Sequence, residues 1–112
     1  MNPTPLDLLS FATFREQLNS RFRVEVSPTR TIELELIEAE FIGKTENGDS
    51  MRPKYENFSL IFRGTAEQRL AQATYRFTHP KIGGFDLFIV PIAAEGGTIR
   101  YQAVFNRLLT PG

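Results

Sequence analysis

The glutamates of one predicted strand are the residues whose type and spacing come closest to a chemical site. With one slip in the alternation, four of them share a face: Glu33, Glu35, Glu38 and Glu40. Such carboxylates could bind a cation, or act as a general acid and base pair in a pocket that moves their pKa values apart. Because all four belong to one strand face, we instead expect exposed cross-strand ion pairs, each worth about 0.2 to 1 kcal/mol. The candidate partners are Arg23, Arg63, Arg76 and Arg100.

His79 is the only histidine, and Pro80 follows it. A lone imidazole could be a general base or a metal ligand, but catalysis needs a nucleophile or an orienting group, and zinc needs about three protein ligands. The neighbouring sequence offers none of these. We therefore expect a turn histidine that is hydrogen-bonded to nearby backbone. Asp86 could approach this histidine across the turn and would then raise the pKa of its imidazole. No metal and no cofactor is predicted.

Two glycine pairs, Gly83-Gly84 and Gly96-Gly97, could suggest phosphate binding. A phosphate loop must lead into the amino terminus of a helix, whose free N–H groups bind the anion. Both pairs here lead into strand-like sequence, so we interpret them as hairpin turns.

Aromatic residues interleaved with arginines could suggest base stacking, but the sequence favours core packing. Thirteen basic residues balance thirteen acidic ones, which leaves no net charge to attract nucleic acid or anionic lipid. No apolar run approaches the roughly 18 residues that a membrane-spanning helix needs. We expect neither nucleic acid nor membrane as a partner.

Length and composition predict one folded domain over residues 1–112. Apolar residues make up 41% of the chain and include ten phenylalanines, which is enough for a packed interior. The absence of cysteine removes disulfides and thiolate chemistry. Together with an amino terminus that lacks the basic start of a secretory signal, it leads us to expect a cytoplasmic protein.

The predicted elements are one short helix at about residues 10–19 and a β-region at about 21–107. Phe11, Phe14 and Leu18 have helical spacing, whereas the following residues alternate with period two. The alternation slips near Leu36 and Ile37, which predicts a β-bulge. A polar loop is expected over residues 43–56. The predicted fold is mainly β: a small antiparallel β-barrel or curled sandwich of about six strands, with the helix over one opening or one face.

Apolar residues on the outer face of the sheet are the least expected feature. They are Ile61, Phe88, Val90 and Val104. A sheet with one solvated face should be polar there, so these residues predict a second apolar surface that must be covered. The predicted helix is one cover, and a second subunit or another protein is the other.

Three segments of the chain share a pattern with known proteins: FSLIFRG at residues 58–64, QATYRFTHPKIGGFDLFIVPI at 72–92 and YQAVFNR at 101–107. This pattern resembles a family of short uncharacterised bacterial proteins. The resemblance implies a small accessory or assembly component associated with phage-tail-like and tail-collar genes. It implies no catalytic or binding residue.

From these observations we expect a non-enzymatic structural or protein-interaction module, an accessory component of a phage-tail-like or surface assembly. Its partner would be a second copy, in a homo-oligomer, or another protein, bound through the outer apolar residues. The alternative is a small β-barrel that binds an apolar ligand, although phenylalanines are expected to fill an interior of this size. An enzyme is the third interpretation, with His79, Asp86 and the glutamates as its only candidate groups.

Overall fold

The protein folds as an antiparallel β-barrel with one short helix, as the sequence predicts. The computed structural model describes residues 9–45 and 54–109. The elements in this part of the chain are α1 (Phe11–Glu16), β1 (Arg21–Ser27), β2 (Arg30–Thr45), β3 (Lys54–Thr65), a 3₁₀ helix (Ala66–Gln68), β4 (Ala73–His79), β5 (Gly83–Glu95) and β6 (Thr98–Leu109).

The barrel consists of two three-stranded meanders, β1-β2-β3 and β4-β5-β6. Each strand pairs antiparallel with the next strand in its meander. The meanders join along β3 and β6 on one side and along β1 and β4 on the other, which gives the closed order β1-β2-β3-β6-β5-β4.

The predicted bulge is present in β2. The register between β2 and β3 shifts between Leu36 and Glu38, and it shifts again between Phe41 and Gly43. The first shift keeps Leu36 and Ala39 on the inner side, opposite Phe62 and Leu60. The predicted loop over residues 43–56 was too long, because β2 continues to residue 45 and β3 begins at residue 54. The rest of that loop lies outside the described residues.

Aromatic side chains fill the barrel interior. The largest fully buried side chains are Tyr101, Phe14, Phe22, Phe58, Phe62, Phe77, Leu34, Leu36, Leu60, Ile89 and Val24. Most follow from the period-two pattern, which sends alternate residues of a strand to one face. Phe14 is different, because it enters the barrel from α1.

Helix α1 closes one end of the barrel. Ser10 caps it by accepting a hydrogen bond from the backbone N–H of Thr13, and the helix ends at Glu16, short of the predicted residue 19. The Phe14 ring lies between strands, with its centroid 5.3 Å from that of Phe105 and 5.7 Å from that of Phe85. The helix therefore lies over a barrel opening, which is one of the two positions predicted for it.

The connection from β3 to β4 closes the other end. Leu70 is 4% exposed, and its backbone N–H donates to the Tyr101 hydroxyl at 2.9 Å. Because Tyr101 is fully buried on β6, this bond fastens the crossing segment to the barrel wall.

Strand β5 changes its partner along its length. Residues 83–89 pair with β4, whereas the pairing with β6 begins at Val90, opposite Gln102. Residues 103–109 of β6 continue to pair with β3 on their other side. No pairing of β5 with β6 is described for residues 85–89 and 103–106, and the Phe14 ring contacts Phe85 and Phe105 on either side of this interval. We call this interval the seam.

Candidate interaction surface

The four predicted outer residues lie on three neighbouring strands around the seam. Ile61 on β3 is opposite Gln102 on β6, and Gln102 is opposite Val90 on β5. Val104 is two residues further along β6, and Phe88 precedes Val90 by two residues on β5. Side chains two residues apart share a strand face, so the sheet brings the predicted residues to one surface.

The exposure of these residues differs sharply. Val104 is 64% exposed and Phe88 is 49% exposed, whereas Val90 is intermediate. Ile61 is only 8% exposed, although it faces outward between Glu38 and Gln102. The accessible part of the surface is therefore centred on Phe88 and Val104, whereas Ile61 is a buried residue of the neighbouring strand β3.

Helix α1 does not supply the cover that the outer residues were predicted to need. The ring contacts of Phe11 and Phe14 are all with rings at the barrel opening or inside it, such as those of Phe58, Phe85 and Phe105. In the described part of the chain, Phe88 and Val104 thus remain among the exposed large apolar side chains.

A row of arginines adjoins the apolar residues. Arg63 on β3 is directly opposite Arg100 on β6, and the next residue across on β5 is Ala93. Arg63 donates from Nη2 to Glu35 Oε1 at 2.6 Å. Among the described residues, no acidic side chain lies within ion-pair distance of Arg100. Like charges directly opposite each other on paired strands are destabilising, so this row needs a further explanation.

Two shallow clefts meet at Arg63 and Thr98. One has a volume of about 470 Å³ and is lined mainly by polar side chains of β1, β2 and β3, including Arg21 and Glu35. The other, of about 270 Å³, is lined by Arg63, Ala93, Glu95, Thr98 and Arg100. Both lie on the outer surface and not inside the barrel.

The glutamate stripe is an exposed strand face. Glu35 is bound by Arg63, and Glu33 lies 3.6 Å from Nη1 of Arg21, which is a different arginine from those predicted. Glu38 and Glu40 face outward, opposite Ile61 and Ser59. In residues 9–45 and 54–109, no three acidic or histidine side chains are grouped so as to hold a metal ion.

His79 is buried and fully hydrogen-bonded. Its Nδ1 accepts from the backbone N–H of Lys81 at 3.1 Å, and its Nε2 lies 3.0 Å from Ser20 Oγ. Because Nδ1 is an acceptor, Nε2 carries the proton and donates to Ser20, whose hydroxyl in turn donates to the carbonyl of Gln17 at 2.6 Å. These bonds fasten the segment after α1 to the β4–β5 hairpin.

The expected influence of Asp86 on His79 was wrong. The register places Asp86 opposite Arg76, and their side chains approach to 3.6 Å, whereas His79 is opposite Gly83. Burial lowers the pKa of His79 from its ordinary value of 6.5, and the positive charge of Lys81 lowers it further. The imidazole is thus a neutral structural group.

The glycine pairs lie where turns need them. Gly83, Gly96 and Gly97 have φ values of 97°, 58° and 82°, in the left-handed region that favours glycine. They open or connect strands and do not precede a helix, as the sequence predicted. No helix within the described ranges is long and apolar enough to span a bilayer.

Sequence reasoning missed three further exposed apolar residues: Phe41, Ile42 and Ile92. Ile42 and Ile92 both lie within register shifts, where the alternation no longer tells which face a residue occupies. Phe41 lies opposite Phe58 at the barrel end and is 42% exposed.

The chain matches a known protein family. The model of a domain of unknown function, DUF6916, matches residues 9–105. The matched region includes α1, strands β1 to β5 and β6 as far as residue 105. Searches of curated proteins and of solved structures give no significant match.

Proposed function

Since this chain belongs to the DUF6916 family of domains of unknown function, we propose its role from its own surface: a non-enzymatic module that binds protein through the outer face of β5 and β6. The supporting observation is the exposure of Phe88 and Val104, at 49% and 64%, on either side of the seam. Aromatic side chains on such surfaces dominate the free energy of protein association.

The strand edges at the seam support the same role, because N–H and C=O groups along a strand edge readily pair with another chain. The other free edge of the β2-β3-β6 sheet, along residues 37–45 of β2, carries two bulges and the exposed Glu38 and Glu40, features that discourage such pairing. By contrast, the pairing of β6 with β3 is regular along its whole length, so β6 presents a straight edge.

The packing of the barrel gives less support to the alternative, a barrel that binds a small apolar ligand. Phe14, Phe22, Phe62 and Phe77 are fully buried in the interior, and both ends are closed. The clefts described above are polar and open to solvent. The resemblance to bacterial proteins associated with phage-tail-like and tail-collar genes supports extending our proposal to an accessory component of a phage-tail-like or surface assembly. The absence of cysteine supports a cytoplasmic location.

The proposal is tested first by self-association. Sedimentation and light scattering are measured over a concentration series for the wild type, Phe88→Glu and Ile42→Glu. Ile42 is an equally apolar residue, 59% exposed, on β2 and away from the seam, so its variant is the matched control. An oligomer that is lost in Phe88→Glu and kept in Ile42→Glu supports the proposal.

A monomeric wild type requires a second assay for a foreign partner. Random dodecapeptides displayed on phage are selected on the wild type and then tested against both variants. Peptides that bind the wild type and Ile42→Glu, but not Phe88→Glu, support the proposal. If neither assay yields an interaction that depends on Phe88, the proposed function is wrong.

A further inference from the structure

The outer face of β6 changes character along the strand. Its outward residues from the seam towards the β5–β6 turn are Val104, Gln102, Arg100 and Thr98. Among the side chains that the structure describes, Val104 is the most exposed large apolar one, and Arg100 is an exposed cation. The strand thus presents an apolar position and a positive position four residues apart.

Residues on the neighbouring strands lie next to both positions. On β5, Phe88 and Val90 continue the apolar end across the seam. On β3, Arg63 lies directly opposite Arg100, and its charge is paired with that of Glu35 through one terminal nitrogen. The other N–H groups of its guanidinium are still able to donate.

Arg100 is the charge on this face that lacks a partner among the described residues. Its cross-strand neighbours are Arg63, which already pairs with Glu35, and Ala93, which carries no charge. Glu95 lies two pairs further along β5, opposite Thr98, and it is not within ion-pair distance of Arg100. A carboxylate bound at Arg100 would compensate its charge and accept hydrogen bonds from its guanidinium, on the strand next to Arg63.

Resting on the proposed function, we infer that this face binds an extended segment of a partner protein, with an apolar side chain at one position and a carboxylate four residues away. The spacing follows from strand geometry. Val104 and Arg100 are separated by four residues, or about 13 Å at roughly 3.3 Å per residue, and an extended partner segment advances by the same rise. Its apolar side chain meets Val104 and Phe88, while its Asp or Glu meets Arg100 and Arg63.

Protein is favoured over nucleic acid as the partner. Glu33, Glu35 and Glu95 border the arginine row, and the chain has no net charge to attract a polyphosphate. A partner segment with one carboxylate and one apolar side chain matches both the positive end and the apolar end of this surface, whereas a run of phosphates matches only the positive end.

The test uses the selected peptides themselves. Their sequences should be enriched in an Asp or Glu four residues from an apolar residue, on either side of it. Binding of a synthetic peptide is then measured by calorimetry to the wild type, Arg100→Gln and Arg23→Gln. Arg23 is an exposed, outward-facing arginine on β1, three strands away from β6 around the barrel, so it is a matched control.

We expect Arg100→Gln to weaken binding about tenfold and Arg23→Gln to leave it unchanged. The same peptide with Asn or Gln in place of its acid should lose affinity for the wild type and show no further loss with Arg100→Gln. Added salt should weaken the binding of the acidic peptide and leave the binding of its neutral variant unchanged.

Two results would overturn the inference. The first is the selection of peptides whose binding depends on Phe88 but that carry no acid at this spacing, or that bind Arg100→Gln as tightly as the wild type. This result would refute the charged contact and leave the proposed function intact. Binding of a fluorescent single-stranded DNA that requires Arg100 would assign the arginine row to phosphate instead.

Discussion

Truncation of Phe14 should be among the most destabilising single changes in this protein. The side chain is fully buried, and its ring centroid lies 5.3 to 6.2 Å from those of Phe22, Phe58, Phe85 and Phe105. Replacing a buried Phe by Ala costs about 3 to 5 kcal/mol through lost burial and the cavity left behind. Aromatic contacts add about 0.5 to 1.5 kcal/mol per pair, so the upper half of that range is expected.

Phe88→Ala provides the matched comparison, because it removes the same ring from a side chain that is 49% exposed. The lost burial is about half as large and no enclosed cavity remains, so we expect a cost of about 1 kcal/mol. Urea unfolding followed by circular dichroism measures both variants, since the chain has no tryptophan to report by fluorescence. If Phe14→Ala does not fold, Phe14→Leu retains part of the volume and should still be less stable than Phe88→Ala.

Equal losses for the two alanine variants would refute the reasoning. Such a result would mean that α1 leaves the barrel opening at little cost and that the core is complete without it. Amide hydrogen exchange would then show α1 opening far more readily than the strands.

Three further predictions follow from the core and from His79. Leu87→Ala should cost about 2 to 5 kcal/mol in urea unfolding, because Leu87 is 6% exposed on the inner face of β5; a loss below about 1 kcal/mol would contradict that facing. Burial lowers the pKa of His79 in the folded protein, so the unfolded chain takes up its proton first as the pH falls below about 6.5. The free energy of unfolding should therefore fall from that pH down to the folded pKa, and His79→Gln should lack this component; an unchanged difference between wild type and variant from pH 7 to 5 would count against it. Calorimetry with zinc, calcium and manganese should show no specific metal site. Micromolar binding that is lost in His79→Ala or Glu35→Gln would show that these residues bind metal and that the expectation is wrong.

The fold was predictable because period-two alternation is a local signal. The bulge near Leu36 could be located for the same reason, since a slip in phase is visible in the sequence itself. Which strands meet to close the barrel was not predictable, because the β3–β6 and β1–β4 pairs join residues far apart in the chain. Consequently, the sequence could not indicate that α1 would occupy an opening and not the outer surface.

Alternation predicts which face of a strand a residue occupies, but it does not predict how exposed that residue is. Ile61, Phe88 and Val104 all face outward, yet their exposed fractions are 8%, 49% and 64%. Ile61 is buried beside the long side chains of Glu38 and Gln102, an effect that depends on register. The partner of Asp86 also depended on register, which pairs it with Arg76 and not with His79.

The arginine row shows what register adds to a sequence. Arg63 and Arg100 are 37 positions apart and were each predicted to be one half of an ordinary ion pair. Only the uninterrupted pairing of β3 with β6 brings them directly opposite each other, a position in which like charges are unfavourable. Glu35 pairs with Arg63, whereas among the described residues no acidic side chain pairs with Arg100, which lies on the same face as Phe88 and Val104. Removing it by Arg100→Gln should therefore leave the folded protein as stable as the wild type or slightly more stable, while weakening the binding of acidic peptides. A variant that loses both stability and binding would show instead that Arg100 is needed to hold the barrel together.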